Sequence, residues 1–208
     1  MPLKRISLRD INEKYADVLR ELGNIGAGNA TTAIASMLSR RIIMNVPKIE
    51  LFEASKLGVS ICSEEEIVVG IFLEMETDIR GSMMFLMKLD SARYLVNRLM
   101  ERDADYAEEF DDMDLSALKE IGNILASSYL SALSTLTNLV ITPSIPYIAI
   151  DMAASVLSVP AIEFGRFGEH ALLIETEFGD ESMIDGFFIL MPERASYNKI
   201  FSALGFAM

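Results

Sequence analysis

The chain has 208 residues, of which 51% are hydrophobic and 24% charged, the composition of a folded protein and not of a disordered one. Its 31 acidic and 18 basic side chains give a net charge of -13, which excludes a surface built for nucleic acid or anionic membranes, because such binding rests on an excess of Lys and Arg. The single Cys62 excludes an intrachain disulfide, the single His170 removes the usual general base, and the absence of a signal-like start or of an apolar run near the roughly 18 residues of a membrane span predicts a cytoplasmic protein.

From the N-terminus, the first helix is expected to open at Ser7, with Asp10 three residues on as a capping box. It runs toward Arg40 through Gly23, Gly26 and Gly28, which weaken or kink it. Strand patterns rich in Val, Ile, Phe and Met follow at residues 42–52, 67–75 and 79–87, with a solvated turn at Glu64-Glu65-Glu66. Cys62, in an apolar stretch, reads as a buried structural thiol. Asp90 is expected to cap a short helix over 91–101, with Tyr94, Leu95 and Leu99 at helical spacing. The segment 101–114 holds eight acids and one arginine and reads as a solvated connector whose last aspartates cap the next helix.

That second long helix is expected over 115–138, followed by strands at 140–150, 171–178 and 184–191. A helical turn is expected at 151–159 and a closing helix at 193–204. His170, near a strand start, reads as structural, and the 13 methionines as core filling.

The two halves repeat. A shift of 99 residues carries Arg20-Glu21-Leu22-Gly23-Asn24-Ile25 onto Lys119-Glu120-Ile121-Gly122-Asn123-Ile124, and Pro47 onto Pro146. Farther on, a shift of 105 carries Gly81–Met87 onto Gly186–Pro192, the extra residues fitting in a loop. The expectation is an α+β protein of pseudo-two-fold, duplicated helix-β-β-β-helix halves, approximately 7–101 and 114–205, joined by the acidic connector 102–113. The halves form one domain, 1–208, with a largely antiparallel sheet and two long surface helices, since three strands apiece are too few to bury this much apolar surface separately.

At roughly 100° per residue, Asp17, Glu21 and Asn24 share one face of the first helix, continued by Gly28, Thr31 and Ala35. On the second, Ser116, Glu120 and Asn123 do the same, continued by Ser127, Leu130 and Ser134. One Glu a turn from one Asn is a common solvent-face pair. Two copies in register, each followed after 22 intervening residues by a proline, are not accounted for by solvation alone. Such a face, mostly of small side chains, lets another protein approach closely.

This doubled pattern, Asp or Ser, then Glu, Asn and Pro at fixed spacing, resembles the signature of the CheC, CheX and FliY family of phosphatases acting on the phosphorylated chemotaxis regulator CheY. Asp17, Glu21, Asn24 and Pro47 fulfil it once, and Ser116, Glu120, Asn123 and Pro146 again. The length and the two motifs are similar to the two-motif members and not to the shorter CheX-like or the longer FliY-like ones. The resemblance implies hydrolysis of an aspartyl phosphate, with Asn24 or Asn123 orienting the attacking water and Glu21 or Glu120 pairing with a lysine of the regulator. Asp17 and Ser116 would add contacts at the docking edge, while Pro47 and Pro146 shape the chain. It further implies no cofactor of the protein's own, Mg²⁺ arriving with the regulator, and binding to the receptor deamidase CheD. No metal site is expected in the chain, and its oligomeric state is left open, a monomer being compatible with both motifs. The rival reading is a non-enzymatic chemotaxis or flagellar adaptor that binds CheY or CheD. Gly23-Asn24-Ile25-Gly26-Ala27-Gly28 is not a P-loop, since it follows a helical pattern and lacks the succeeding Lys-Ser/Thr.

Overall fold

A computed structural model describes residues 16–53, 61–103, 106–163, 170–179 and 183–205. The expected helix start at Ser7, with its Asp10 cap, lies outside them. Twelve elements follow in order: α1 (Ala16–Leu38), β1 (Ile43–Glu53), β2 (Ile67–Thr77), β3 (Gly81–Lys88), α2 (Leu89–Leu99), α3 (Asp112–Thr137), β4 (Ile141–Pro143), β5 (Tyr147–Met152), α4 (Ala153–Glu163), β6 (His170–Gly179), β7 (Met183–Pro192) and α5 (Arg194–Ala203).

The strands form one sheet in the order β1-β6-β7-β3-β2-β4, with β5 also on β2, and every pairing is antiparallel. This order reads the same in both directions once the halves are exchanged. At its centre β3 pairs with β7, and Met84 stands opposite Ile189, its own counterpart under the 105-residue shift. The pseudo-dyad therefore passes through that residue pair. Each half also lends its first strand to the other: β1 lies on β6, and β5 on β2.

Strict alternation assigns the two faces of the sheet. Met83, Phe85 and Met87 point toward a large core shared with α1, α2, α3 and α5, where Phe85 stacks on Phe188 at 4.6 Å between centroids. Met84 and Leu86 point the other way, onto a smaller core with Val156 and Leu157 of α4. With both faces covered, β3 is buried over Gly81–Met87. The long helices α1 and α3 pack on each other where Gly26 receives the ring of Tyr129, whose hydroxyl lies 3.3 Å from Thr176 Oγ1. Both end in a left-handed residue at matching positions, Ser39 (φ 51) and Asn138 (φ 57).

Several boundaries differ from the sequence reading, each for a local reason. The cap of α2 is Lys88 and not Asp90, which falls inside the first turn, and the Lys88 side chain makes no capping hydrogen bond. The expected strand over 140–150 breaks at 144–146, so the second half has four strands and not three. Pro146 offers no N–H to the ladder, and Ser144 instead trades bonds with Glu74: its N–H donates to Glu74 O at 2.9 Å, and its Oγ accepts from Glu74 N–H at 2.9 Å. The helical turn expected at 151–159 is a helix of 11 residues, α4, because its apolar side chains cover the free face of β2 and β3.

The connector is mostly exposed but tied down. Arg102 reaches Asp114 at 2.8 Å and lies over the Tyr106 ring, and Asn97 Nδ2 donates to Tyr106 O at 2.9 Å. Asp111 then caps α3 in a full capping box, accepting from the N–H groups of Met113 and Asp114 at 2.8 Å while Asp114 accepts from Asp111 N–H at 3.2 Å.

Candidate functional site

The core contacts of α1 decide which of its residues remain outside. Leu19, Leu22, Ala30 and Ile34 are buried against the sheet and α3, which leaves Asp17, Glu21, Asn24 and Gly28 exposed along the opposite side. On α3 the buried set is Leu118, Ile121, Leu125 and Ala126, so Ser116 and Glu120 are exposed and Asn123 half-buried. The outward face of α3 closes sooner than its sequence pattern predicts, because Leu130 is buried in the core.

The polar edges of the motifs are already engaged within the helices. Asp17 accepts from Arg20 Nη1 at 2.9 Å, an exposed pair that contributes little to stability. Ser116 Oγ donates to Asp112 O at 2.7 Å, so its hydroxyl faces back along its own helix. Among the described residues no hydrogen bond or ion pair joins Glu21 and Asn24 to Glu120 and Asn123. The motifs make two candidate sites, one on each helix.

The prolines occupy equivalent irregularities at opposite ends of the sheet. Pro47 sits where the register of β1 against β6 shifts, between Asn45 and Lys48, and Pro146 sits in the gap between β4 and β5. A residue without an N–H is tolerated at such edge positions. At the first site this irregular strand comes close to the helix: a Cβ on Gly23 would stand only 3.1 Å from Val46 Cγ1. Two open grooves result, one on each side of Asn24. One, of about 230 Å³, is lined by Ala16, Arg20, Asn24 and Val46–Ile49. The other, of about 480 Å³, is lined by Asn24, Ala27, Gly28, Thr31 and Met44–Pro47.

The second site is built differently. Gly122, the counterpart of Gly23, receives Ile71 of β2, with a Cβ position 2.6 Å from Ile71 Cγ2, and Ile145, the counterpart of Val46, is 90% exposed. The structure thus brings Asn24 and Pro47 to one groove and adds Arg20, Asn45, Val46 and Lys48, which the sequence reading did not single out. Arg20, one turn before Asn24, was visible in the pattern; the rest depend on how β1 crosses the helix. Lys48 is held by Glu50 at 2.6 Å and Glu175 at 3.6 Å, and the bond to Glu50 raises its pKa.

Chemically, each Glu–Asn pair offers a carboxylate for a cation and an amide that both donates and accepts. Cys62 does not compete as a nucleophile: it is half-buried, and burial, with the Glu66 carboxylate, pushes its thiol pKa up. His170 begins β6, far along the chain from either motif.

Residues 16–51 and 113–148 match the model of the CheC-like family, and each stretch runs from one motif helix past its proline. Over 200 residues, 94% of this chain and 96% of the relative, the sequence is 39% identical to the CheY-P phosphatase CheC of Bacillus subtilis (strain 168). The chain belongs to the CheC-like family. A second relative, the flagellar motor switch phosphatase FliY of the same organism, is 24% identical over 61% of this chain and 33% of its own. Among solved structures, FliY of Thermotoga maritima superposes with a TM-score of 0.74 at 19% identity, covering 99% of this chain and 98% of that one. The Helicobacter pylori chain from a FliG–FliM complex gives 0.67 at 15% identity, covering 91% and 98%. These likenesses show that the duplicated α+β fold of this CheC-like chain is shared with them. No described helix is long and apolar enough to cross a membrane.

Proposed function

We propose that the chain hydrolyses the aspartyl phosphate of a CheY-type response regulator, using the Glu–Asn pairs of α1 and α3. The observation that carries this reading is the duplicated pair itself, on the outer side of two helices, exposed on α1 and with Asn123 half-buried on α3, with Asn24 opening onto grooves, in a chain 39% identical to a CheY-P phosphatase.

Water attacks phosphorus on the side opposite the aspartyl oxygen. The P–O bond to the carboxylate breaks, the carboxylate leaves unprotonated, and both protons of the water stay with the phosphate released. Positioning and charge stabilisation dominate such a transfer. Asn24 or Asn123 accepts a hydrogen bond from the water through its amide oxygen and so fixes its line of attack. An amide has no proton to exchange near neutral pH, which suits a site without histidine. Glu21 or Glu120 pairs with a lysine of the regulator, setting the depth at which the amide sits. Asp17 and Ser116 add contacts at the docking edge. The Mg²⁺ that neutralises phosphoryl oxygens belongs to the regulator and comes with it. By family membership we extend to the chain a second partner, the deamidase CheD.

The test is phosphate release from the phosphorylated regulator. Asn24→Ala with Asn123→Ala is expected to return decay to the regulator's intrinsic rate with the fold intact, each single variant keeping part of the acceleration. Undiminished acceleration in the double variant removes the roles assigned to Asn24 and Asn123, whereas no acceleration by the wild-type chain leaves the adaptor reading.

A further inference from the structure

Three glycines interrupt α1, and packing explains two. A Cβ on Gly23 would meet Val46 at 3.1 Å, and one on Gly26 would meet Tyr129 Cδ1 at 2.3 Å. Gly28 has no such reason. Its Cβ would meet nothing within 4 Å, its φ is not positive, and it lies exposed in the helix interior, where glycine is a weaker helix former than alanine. Its carbonyl is satisfied by Thr32 Oγ1 at 3.0 Å, so no polar requirement of its own backbone explains it either. The repeat supplies a control: the counterpart on α3 is Ser127, so the fold accepts a side chain at this position.

Gly28 follows Asn24 by one turn and lines the same groove of about 480 Å³, together with Thr31 and the irregular edge of β1 at Met44–Pro47. A Cβ at 28 would enter the groove that Asn24 also lines without meeting a neighbouring element. What it would touch is whatever docks there. We infer that Gly28 is a positioning residue of the first site, whose bare backbone lets the phosphoryl-bearing loop of the regulator lie against α1 and so sets how tightly the regulator docks beside Asn24. This rests on the reading above for its partner, and on the absence of any internal contact for its location. It makes the two sites unequal in approach, because Ser127 keeps a partner farther from α3.

The experiment uses the full chain carrying Asn123→Ala, in which only the first site works, with Gly28→Ala and Gly28→Leu added. Three quantities are measured: melting temperature, KM and kcat for the phosphorylated regulator, and Kd for the regulator bearing Mg²⁺ and beryllium fluoride. Gly28→Ala is expected to raise the melting temperature by about 2–4 °C, since it improves the helix and clashes with nothing. It should nonetheless raise KM and Kd roughly threefold, and Gly28→Leu about tenfold or more, with kcat within about twofold. Ser36→Leu, exposed two turns on and outside both grooves, should leave KM unmoved. A Gly28→Leu chain that melts no lower and keeps KM and Kd within about twofold overturns the inference. If hydrolysis fails altogether the phosphatase reading falls, and if it survives loss of both asparagines their assigned role falls, while in either case the Kd series still decides the role of Gly28.

Discussion

Substituting Gly26 by alanine tests whether the two motif helices are locked together by one aromatic ring. The added Cβ would lie 2.3 Å from Tyr129 Cδ1 and 2.6 Å from Cε1, against an optimum of roughly 3.5–4.0 Å for carbon pairs. The ring cannot slide away cheaply, because it is 2% exposed, stacked 4.5 Å from Phe188 and tethered through its hydroxyl to Thr176 at 3.3 Å. Overpacking of this kind costs about 1–3 kcal/mol, and such tight confinement points to the upper end. Alanine returns about 1 kcal/mol of helix propensity, leaving a net loss of about 2 kcal/mol. For a chain of this length that is a fall of about 4–8 °C in melting temperature, readable by circular dichroism. Tyr129→Leu, destabilising alone, should then be less so in the Gly26→Ala background, with a coupling of at least about 1 kcal/mol. An unchanged or raised melting temperature for Gly26→Ala would refute the packing argument.

Asp111→Ala removes the side-chain acceptor of the capping box at α3, with its bonds from the Met113 and Asp114 N–H groups, and should cost about 0.5–2 kcal/mol in urea unfolding, whereas Asp90→Ala, which caps nothing, should cost well under 1. Burial pushes the phenols of Tyr129 and Tyr197 up to about 12 from their ordinary 10. Above pH 10 the unfolded chain loses protons that the folded chain keeps, so stability from these groups is intact below pH 10 and falls as pH rises toward 12. The loss near pH 11 is on the order of 1 kcal/mol per tyrosine, and Tyr197→Phe, unlike wild type, should show only the Tyr129 share of it in urea melts at pH 9 and 11.

Much of this architecture was legible in the residues because duplication wrote it twice. Glu21 and Asn24 recur at Glu120 and Asn123 in register, and the core-facing leucines around them leave both pairs outside. The short apolar runs of β3 and β7, rich in Ile, Phe and Met, likewise announced strands. What escaped the sequence depended on contacts between distant segments. Asp90 looks like a cap, yet the chain enters α2 directly from β3 at Lys88 and leaves the aspartate inside the first turn. The stretch 140–150 has strand composition throughout, and its break is set by Ser144 bonding to Glu74, some 70 residues away. The inequality of the two sites is equally nonlocal: Gly23 and Gly122 look alike, but one receives Val46 and the other Ile71.

The exchange of first strands between halves bears on how the chain is made. Among the described residues β1 finds its ladder partner in β6, which emerges roughly 120 residues later, on the order of 6–24 s of synthesis at ordinary elongation rates. For that interval a strand of 11 residues, with Ile43, Val46, Ile49 and Leu51, has both edges bare on the ribosome. Pro47, which interrupts its hydrogen-bonding edge, and the charges Lys48, Glu50 and Glu53 make it a poor template for neighbouring nascent chains. The proline that borders the Asn24 groove in the finished protein thus also guards the unfinished one against aggregation.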